Sequence, residues 1–403
     1  MPKTIAVLSI HTCPVTVNNL GEKHSGGMNV YIESLYKELS DYRYSIDIYT
    51  KSHKSHPEEI IQISPSLRVI HVNGIPENVG KNDAFEHLPD VERSIEDFVS
   101  NNTIRYDIMH SHYWLSGAVG LALSDKWKIP HVATFHTLAQ KKILARVGEY
   151  EPNVRLAVES TMADKSDSII ISTQDEADTI KNTYSIPTDK LNVIPAGVDL
   201  NLFKPKNKCE SKKLLGLNTG KTILAVARLE PLKGLDILIS AIHKIENNSD
   251  ITLLIAGDYL NNEIEFRRLQ TIINGLKLTE NIKFLGNIQH NKMPLYMSAA
   301  DVLVMPSYYE SFGLSALEAM ACGTPVITSR NSGAKTFIEQ GTSGYLIPWN
   351  CPEHYAERLE ILLKNPILRA NMGQKAAMQA NKLSWNKAAT KTDLVYSNLI
   401  KSV

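Results

Sequence analysis

The chain has 403 residues, too many for one ordinary hydrophobic core and comfortable for two domains. Lysine plus arginine equals aspartate plus glutamate at 43 each, so no global field draws the protein to nucleic acid, and any anion site must be local. The four cysteines, Cys13, Cys209, Cys322 and Cys351, are scattered with no C-x-x-C, which argues against a disulfide framework or zinc site.

The amino terminus runs straight into an apolar strand at 5–10 and does not read as a signal peptide. No apolar run approaches the ~20 residues needed to span a bilayer, so stable membrane insertion is not expected. With reduced cysteines, the chain reads as cytoplasmic. Further short runs rich in Ile and Val follow at 45–50, 68–72, 107–112, 131–136, 168–173 and 192–195. A second series occupies 222–227, 251–257, 282–286, 301–306, 326–329 and 344–348. Such runs, alternating with longer amphipathic stretches, predict parallel strands buried on both faces and connected by helices. After Pro205 the text turns polar and lysine-rich, and a fresh strand–helix cycle begins at Thr222. The predicted fold is α/β: two Rossmann-like, doubly wound parallel-sheet domains, 1–205 and 206–387, with a hinge near Pro205 and the ligand in the cleft. A last helix from 388 to 403 has no strand after it and is expected to cross back to the first domain. Neither half carries G-x-G-x-x-G after a strand, which argues against a nicotinamide or flavin dinucleotide.

Candidate site residues follow in chain order. His11 ends the first apolar run, and Gly26 and Gly27 come after it. The glycines either let backbone approach a phosphate or form a plain tight turn. Asn29 falls on the first turn of the next helix. His110 and His112 share one face of a strand; a metal pair is conceivable there, but no third ligand stands at telling spacing. His136 and Thr137 close the strand V-A-T-F-H. A histidine there can hold a sugar hydroxyl, shuttle a proton or serve as a structural hydrogen-bonding residue. Arg155 opens a helix and is either a surface charge or an anion contact. Arg228 and Lys233 follow the first strand of the second half, in R-L-E-P-L-K. Two cations at the carboxyl end of a strand can clamp a diphosphate, or they belong to a solvated loop.

The stretch 306–325, P-S-Y-Y-E-S-F-G-L-S-A-L-E-A-M-A-C-G-T-P, carries the most information. Glu310 lies in a loop after a strand, and Glu318 lies on the helix that Gly323 and Pro325 end. Between them, Ser311, Phe312, Gly313 and Leu314 form a helix start whose N–H groups can face phosphate. Glycosidase carboxyls stand about 5–9.5 Å apart. Eight positions at helical rise span about 12 Å, which suits two separate hydroxyl contacts better. Carboxylates flanking an anion site point to a nucleotide sugar.

These residues together resemble the retaining glycosyltransferases of the GT-B fold, over nearly the whole chain. The family signature E-x-F-G-L-x-x-L-E-A-M-A-x-G-x-P-V-I is reproduced from Glu310 to Ile327, and its R-x-x-x-x-K by Arg228 and Lys233. In the first half, H-S-G-G-M-N-V-Y-I, H-S-H-Y-W-L-S-G and T-F-H-T-L-A are similar to the branch that begins mycothiol synthesis. That branch moves N-acetylglucosamine from its UDP ester to inositol phosphate. The resemblance implies donor contacts at His11, Gly26, Gly27, Arg228, Lys233, Glu310, Ser311, Phe312, Gly313, Leu314 and Glu318. It implies acceptor contacts at Asn29, Lys81, Tyr113, Thr137 and Arg155, with His136 positioning the sugar. It would place a magnesium ion by Met297, Ser298, Ala300 and Thr324, although no acidic ligand backs them and no cofactor is required. His24 replaces the usual aspartate beside the glycine turn, and Ile288 stands where an arginine near the base is expected. Sucrose-phosphate synthases share most of the pattern, and a sensor that has lost catalysis is the non-enzymatic alternative. The implied chemistry is same-face transfer of a hexose or N-acetylhexosamine from a nucleotide diphosphate sugar, UDP-N-acetylglucosamine or UDP-glucose before others, to a small phosphorylated acceptor such as inositol phosphate, and relatives often form homodimers.

Overall fold

In the computed structural model, which describes residues 2–15, 26–52, 59–81, 83–217, 219–260, 262–330 and 333–401, the Ile- and Val-rich runs fold as strands. Among these residues two compact units appear: 2–15, 28–195 and 385–401 form one, while 26–27 and 196–384 form the other.

The first unit runs β1 (Lys3–Leu8), α1 (Gly27–Leu39, entering it at Met28), β2 (Tyr44–Lys51), β3 (Ile60–Ser64), β4 (Leu67–Val72), α2 (Leu88–Asn101), β5 (Ile108–His112) and α3 (Tyr113–Trp127). It continues with β6 (His131–Thr134), α4 (Ala139–Ala145), α5 (Asn153–Lys165), β7 (Ser168–Ile171), α6 (Gln174–Tyr184) and β8 (Leu191–Val193). Its eight-stranded sheet has the order β3-β4-β2-β1-β5-β6-β7-β8. Every pairing is parallel except β3 with β4. Ile5, Ala6, Val7 and Leu8 are fully buried, as expected of a central parallel strand covered on both faces. The antiparallel edge strand β3 has no counterpart among the sequence-predicted strands. Ile60 and Ile63 are exposed, so this edge shows no buried apolar run.

The second unit runs α7 (Lys208–Leu214), β9 (Lys221–Val226), α8 (Leu235–Lys244), β10 (Ile251–Ala256), α9 (Glu263–Gly275), β11 (Ile282–Gly286) and α10 (Met293–Ala299). Then come β12 (Val302–Met305), α11 (Leu314–Ala321), β13 (Val326–Ser329), β14 (Gly344–Ile347), α12 (Pro352–Lys364) and α13 (Pro366–Ala380). The six strands are ordered β11-β10-β9-β12-β13-β14 and are parallel. Buried Asp301 ties this unit's first helix to its sheet: it accepts from Lys208 and Lys212 at 3.0 Å each and from the Thr222 N–H at 2.9 Å. The last helix, α14 (Trp385–Lys401), groups with the first unit. Its Trp385 meets Tyr31 edge-on at 5.4 Å, and its Tyr396 is fully buried.

In each sheet the chain reverses direction beside its first strand, between β1 and β5 and between β9 and β12. In doubly wound folds, ligands bind beyond the carboxyl ends of the strands at such a switch point.

One buried group foretells a pH effect on stability. Thr173 caps α6 by accepting from the Glu176 N–H at 3.1 Å, and Glu176 Oε2 accepts from the Ser172 N–H at 3.3 Å. Oε1 is buried without a hydrogen-bond partner, and burial pushes the carboxyl up from 4.5 to about 7. A raised folded pKa favours the fold at low pH, and that advantage is lost as pH rises through about 7. Glu176→Gln should therefore gain on the order of 3 kcal/mol over wild type at pH 8–9, shrinking toward zero near pH 4. Denaturant melts across that range check it; a gain independent of pH would refute the assignment.

Candidate functional site

In the second unit the switch point carries Lys233 and Glu310. Arg228 leaves β9, and Lys233 closes the short 3-10 turn Pro231–Lys233. Gly234 then takes φ +64°, and a Cβ there would lie 2.4 Å from the Pro306 carbonyl oxygen, so only glycine lets this turn press on the backbone leaving β12. The Tyr308 N–H donates to the Leu232 carbonyl at 2.8 Å and locks the two loops together. Lys233 Nζ consequently donates to Glu310 Oε2 at 2.6 Å. The Gly333 N–H fixes the Glu310 carbonyl at 2.8 Å. Arg228 is exposed and pairs with Glu230 at 2.9 Å.

Ser311, buried Phe312 and Gly313 (φ +95°) lead into α11, where the Gly313 carbonyl accepts from the N–H groups of Ala316 and Leu317. The helix begins at Leu314, the last residue of the expected helix start, so the helical-rise estimate of the Glu310–Glu318 separation applies to only half the interval. What distinguishes the glutamates is their partners: Lys233 holds Glu310, whereas His290 Nε2 lies 2.7 Å from Glu318 Oε1. His290 in turn packs against Phe203 at 5.0 Å.

In the first unit the switch point carries His11 and Tyr113. β1 ends at Leu8, so His11 stands three residues beyond the strand and not at its end. Its ring lies 4.5 Å from that of Tyr113. Tyr113 opens α3 with φ +75°, and His136, after the adjacent β6, has φ +59°. Two non-glycine residues in the left-handed region at neighbouring strand ends store of order 1–3 kcal/mol each, the kind of strain that collects at functional sites. Tyr113, Thr137 and Arg155 lie together, and Arg155 is not a surface charge. It is fully buried. Its Nε donates to Glu159 at 2.7 Å, Nη1 to Tyr113 at 2.9 Å and Glu151 at 2.8 Å, and Nη2 to the Thr137 carbonyl at 2.8 Å and hydroxyl at 3.0 Å. All five guanidinium N–H donors are thus used within the protein. Burial works against its charge, but Tyr113, Glu159 and Glu151 outweigh burial and hold its pKa above the ordinary value. Burial raises Glu159; it would also raise Glu151, but Arg155 and Lys142 hold that carboxyl below the usual range.

His136 is half-buried and bonded to His112, Nε2 to Nδ1, at 2.8 Å. Burial lowers it to about 3. It is therefore neutral at physiological pH and can act as a hydrogen-bonding group, not as a charged proton shuttle. His110 and His112 are also held well below the usual range by burial. They bond to tyrosine, threonine and histidine, and among the described residues no cluster of His, Cys, Asp or Glu could hold a metal.

The remaining candidates are scattered. Asn29 is buried: it accepts from Thr12 at 2.6 Å and donates to the Cys13 carbonyl at 3.0 Å, as a loop pin would. Gly26 and Gly27 group with the second unit, and a Cβ at Gly26 would meet nothing within 4 Å, so crowding within the chain does not demand glycine there. Lys81 is exposed before the turn Ala84–His87. Met297, Ser298, Ala300 and Thr324 are buried, with Thr324 donating to the Met297 carbonyl at 2.6 Å. His24 lies outside the described residues.

Residues 25–202 match the family described as Glycosyltransferase Family 4, and residues 207–379 match Glycosyl transferases group 1. Over 98% of its length the chain is 34% identical to the D-inositol 3-phosphate glycosyltransferase of Corynebacterium efficiens, covering 95% of that protein. The chain belongs to the group 1 glycosyltransferases of the GT-B fold. Another D-inositol 3-phosphate glycosyltransferase, from Corynebacterium jeikeium, is 34% identical over 98% of this chain and 96% of its own. The structure of sucrose-phosphate synthase from Thermosynechococcus elongatus is 28% identical and superposes with a TM-score of 0.92 over 100% of both chains. Anabaena HepE, solved with UDP and glucose, shares the fold with a TM-score of 0.78 at 20% identity, over 98% of this chain and 100% of its own.

Sequence reasoning on this glycosyltransferase missed Glu151 and Glu159, although their signal was present: each stands four positions from Arg155, the spacing of helical ion pairs. It also missed His290, Tyr36 and Tyr396. These meet their partners only through tertiary folding, and no local pattern marks them. Among the described residues of the glycosyltransferase, no helix is long and apolar enough to cross a membrane.

Proposed function

We propose that this glycosyltransferase moves a hexose or N-acetylhexosamine from a nucleotide diphosphate sugar, UDP-N-acetylglucosamine or UDP-glucose, to a hydroxyl of a small phosphorylated acceptor such as inositol phosphate. The anomeric configuration is retained. The observation that carries the acceptor is the full-length identity with proteins named D-inositol 3-phosphate glycosyltransferase. Lys233 and Arg228 neutralise the departing diphosphate, and the start of α11 offers it N–H donors. Glu310, held by Lys233 at 2.6 Å, meets the transferred sugar, and Glu318 meets the nucleotide ribose. The leaving phosphate takes the acceptor's proton, so the protein supplies orientation and charge stabilisation and no covalent nucleophile.

A second reading, glucosyl transfer to fructose 6-phosphate, draws on the full-length superposition with sucrose-phosphate synthase. A donor-by-acceptor matrix separates the two. UDP-, ADP- and GDP-sugars are crossed with inositol phosphate, fructose 6-phosphate and glycerate phosphate, and released nucleotide and product mass are read out. Turnover with UDP-N-acetylglucosamine and inositol phosphate is expected. Product with fructose 6-phosphate alone would select the second reading, and nucleotide-sugar binding without turnover on any acceptor would defeat both.

A further inference from the structure

Behind His136 runs a chain of buried polar rings. His112 bridges it to Tyr36: its Nδ1 lies 2.8 Å from His136 Nε2, and its Nε2 lies 2.7 Å from the Tyr36 hydroxyl. The same hydroxyl lies 2.7 Å from His110 Nδ1, which also meets the Tyr396 hydroxyl of α14 at 2.6 Å. His110 Nε2 ends the chain at the Thr134 hydroxyl, 2.9 Å away. The two phenolic oxygens are 3.4 Å apart.

Proton counting leaves two coherent orders. Burial raises both tyrosines well above their ordinary pKa and keeps the histidines neutral. Each tyrosine therefore has one proton to place, and each histidine one N–H and one bare nitrogen. In the first order Tyr36 donates to His112 Nε2, His112 donates from Nδ1 to His136 Nε2, and His136 carries its proton on Nδ1. His110 then donates from Nδ1 toward both phenolic oxygens and accepts from Thr134, while Tyr396 donates to Tyr36. In the second order that path runs the other way: His136 donates from Nε2 to His112 Nδ1, His112 donates from Nε2 to Tyr36, Tyr36 donates to His110 Nδ1, and His110 donates from Nε2 to Thr134. Tyr396 decides between them. In the second order two hydroxyls would aim at the single lone pair of His110 Nδ1. In the first, one shared N–H serves two acceptors, and every proton has a place.

We propose that Tyr396, His110, Tyr36 and His112 are positioning residues that hold His136 in the tautomer with its proton on Nδ1. A neutral histidine can donate only from the nitrogen its tautomer protonates, so the relay makes Nδ1 the donor offered to the transferred sugar. This rests on the reading of His136 as a group that touches the sugar.

The test uses the full chain with nitrogen-15-labelled histidine and long-range proton–nitrogen correlation spectra. Wild type should show His136 with a protonated Nδ1 and a bare Nε2. Tyr396→Phe removes the deciding oxygen, and Tyr36→Phe cuts the chain. Both should shift the His136 signature toward the other tautomer or an average. Tyr36→Phe should also lower kcat about tenfold, the lower end of the scale on which hydrogen-bond partners of metal-bound histidines act, with donor KM unchanged. A wild-type His136 protonated on Nε2 overturns the relay. So does an unchanged signature in folded Tyr396→Phe, which stands alone if Tyr36→Phe does not fold. Full activity in His136→Ala would instead overturn the sugar-contact reading and leave the spectra to judge the relay by themselves.

Discussion

Lys233→Ala should lower kcat by about 10²–10³-fold, the scale of deleting one preorganised charge-stabilising donor. Lys233 is the half-buried cation at the β9–β12 switch point, set there by the Gly234 turn and aimed at Glu310. In the proposed reaction it neutralises charge that appears only as the diphosphate departs, so the loss should fall on kcat more than on donor KM. Steady-state rates with a varied UDP-sugar check this. Near-normal turnover would remove the diphosphate from this end of the sheet. Arg228, exposed and paired with Glu230, can rearrange more freely, and its alanine variant should lose less.

Arg155→Ala should destabilise the first unit by about 3–5 kcal/mol, the cost of leaving buried charges without their partner. Its removal leaves Glu159 with no cation and Glu151 with Lys142 alone, and frees the Tyr113 hydroxyl and Thr137. Arg155→Met, which fills similar volume without charge, should be equally damaging unless Glu151 and Glu159 are made Gln together with it. Chemical denaturation reads the loss directly, and a change below about 1 kcal/mol, the range of surface pairs, would contradict the buried network. The sequence suggests Arg155→Ala as a probe of acceptor KM. The structure redirects that probe: Tyr113→Phe or Thr137→Ala leaves the ion pairs in place, gives up one buried hydrogen bond at about 1–3 kcal/mol, and tests the proposed acceptor contact with a smaller stability loss.

The fold was legible because buried parallel strands need continuous Ile and Val, and thirteen such runs stand in the sequence where strands form. The edge strand at Ile60–Ser64 escaped because exposed residues carry no such signature. At the site, Lys233 and Glu310 were legible because both flank strand ends with glycines nearby. The partnership of His290 with Glu318, and that of Tyr36 with Tyr396 across 360 positions, was not. Neither hydrophobic period nor local spacing encodes a contact between elements distant in sequence. Arg155 lies between these cases: its carboxylate partners were in plain view at helical spacing, but its complete burial follows from packing that no periodicity reports.

The placement of α14 bears on how the protein is made. Trp385 and Tyr396 are synthesised after the whole of the second unit, yet Tyr31, Tyr36 and His110 make contacts with them. The amino-terminal unit therefore emerges first but finishes last, against the usual order in which domains complete themselves as they are synthesised. Until α14 has followed the second unit out, it persists with an open seam of tyrosine and histidine side chains. A gene fragment ending at residue 195 encodes an incomplete unit, not a domain.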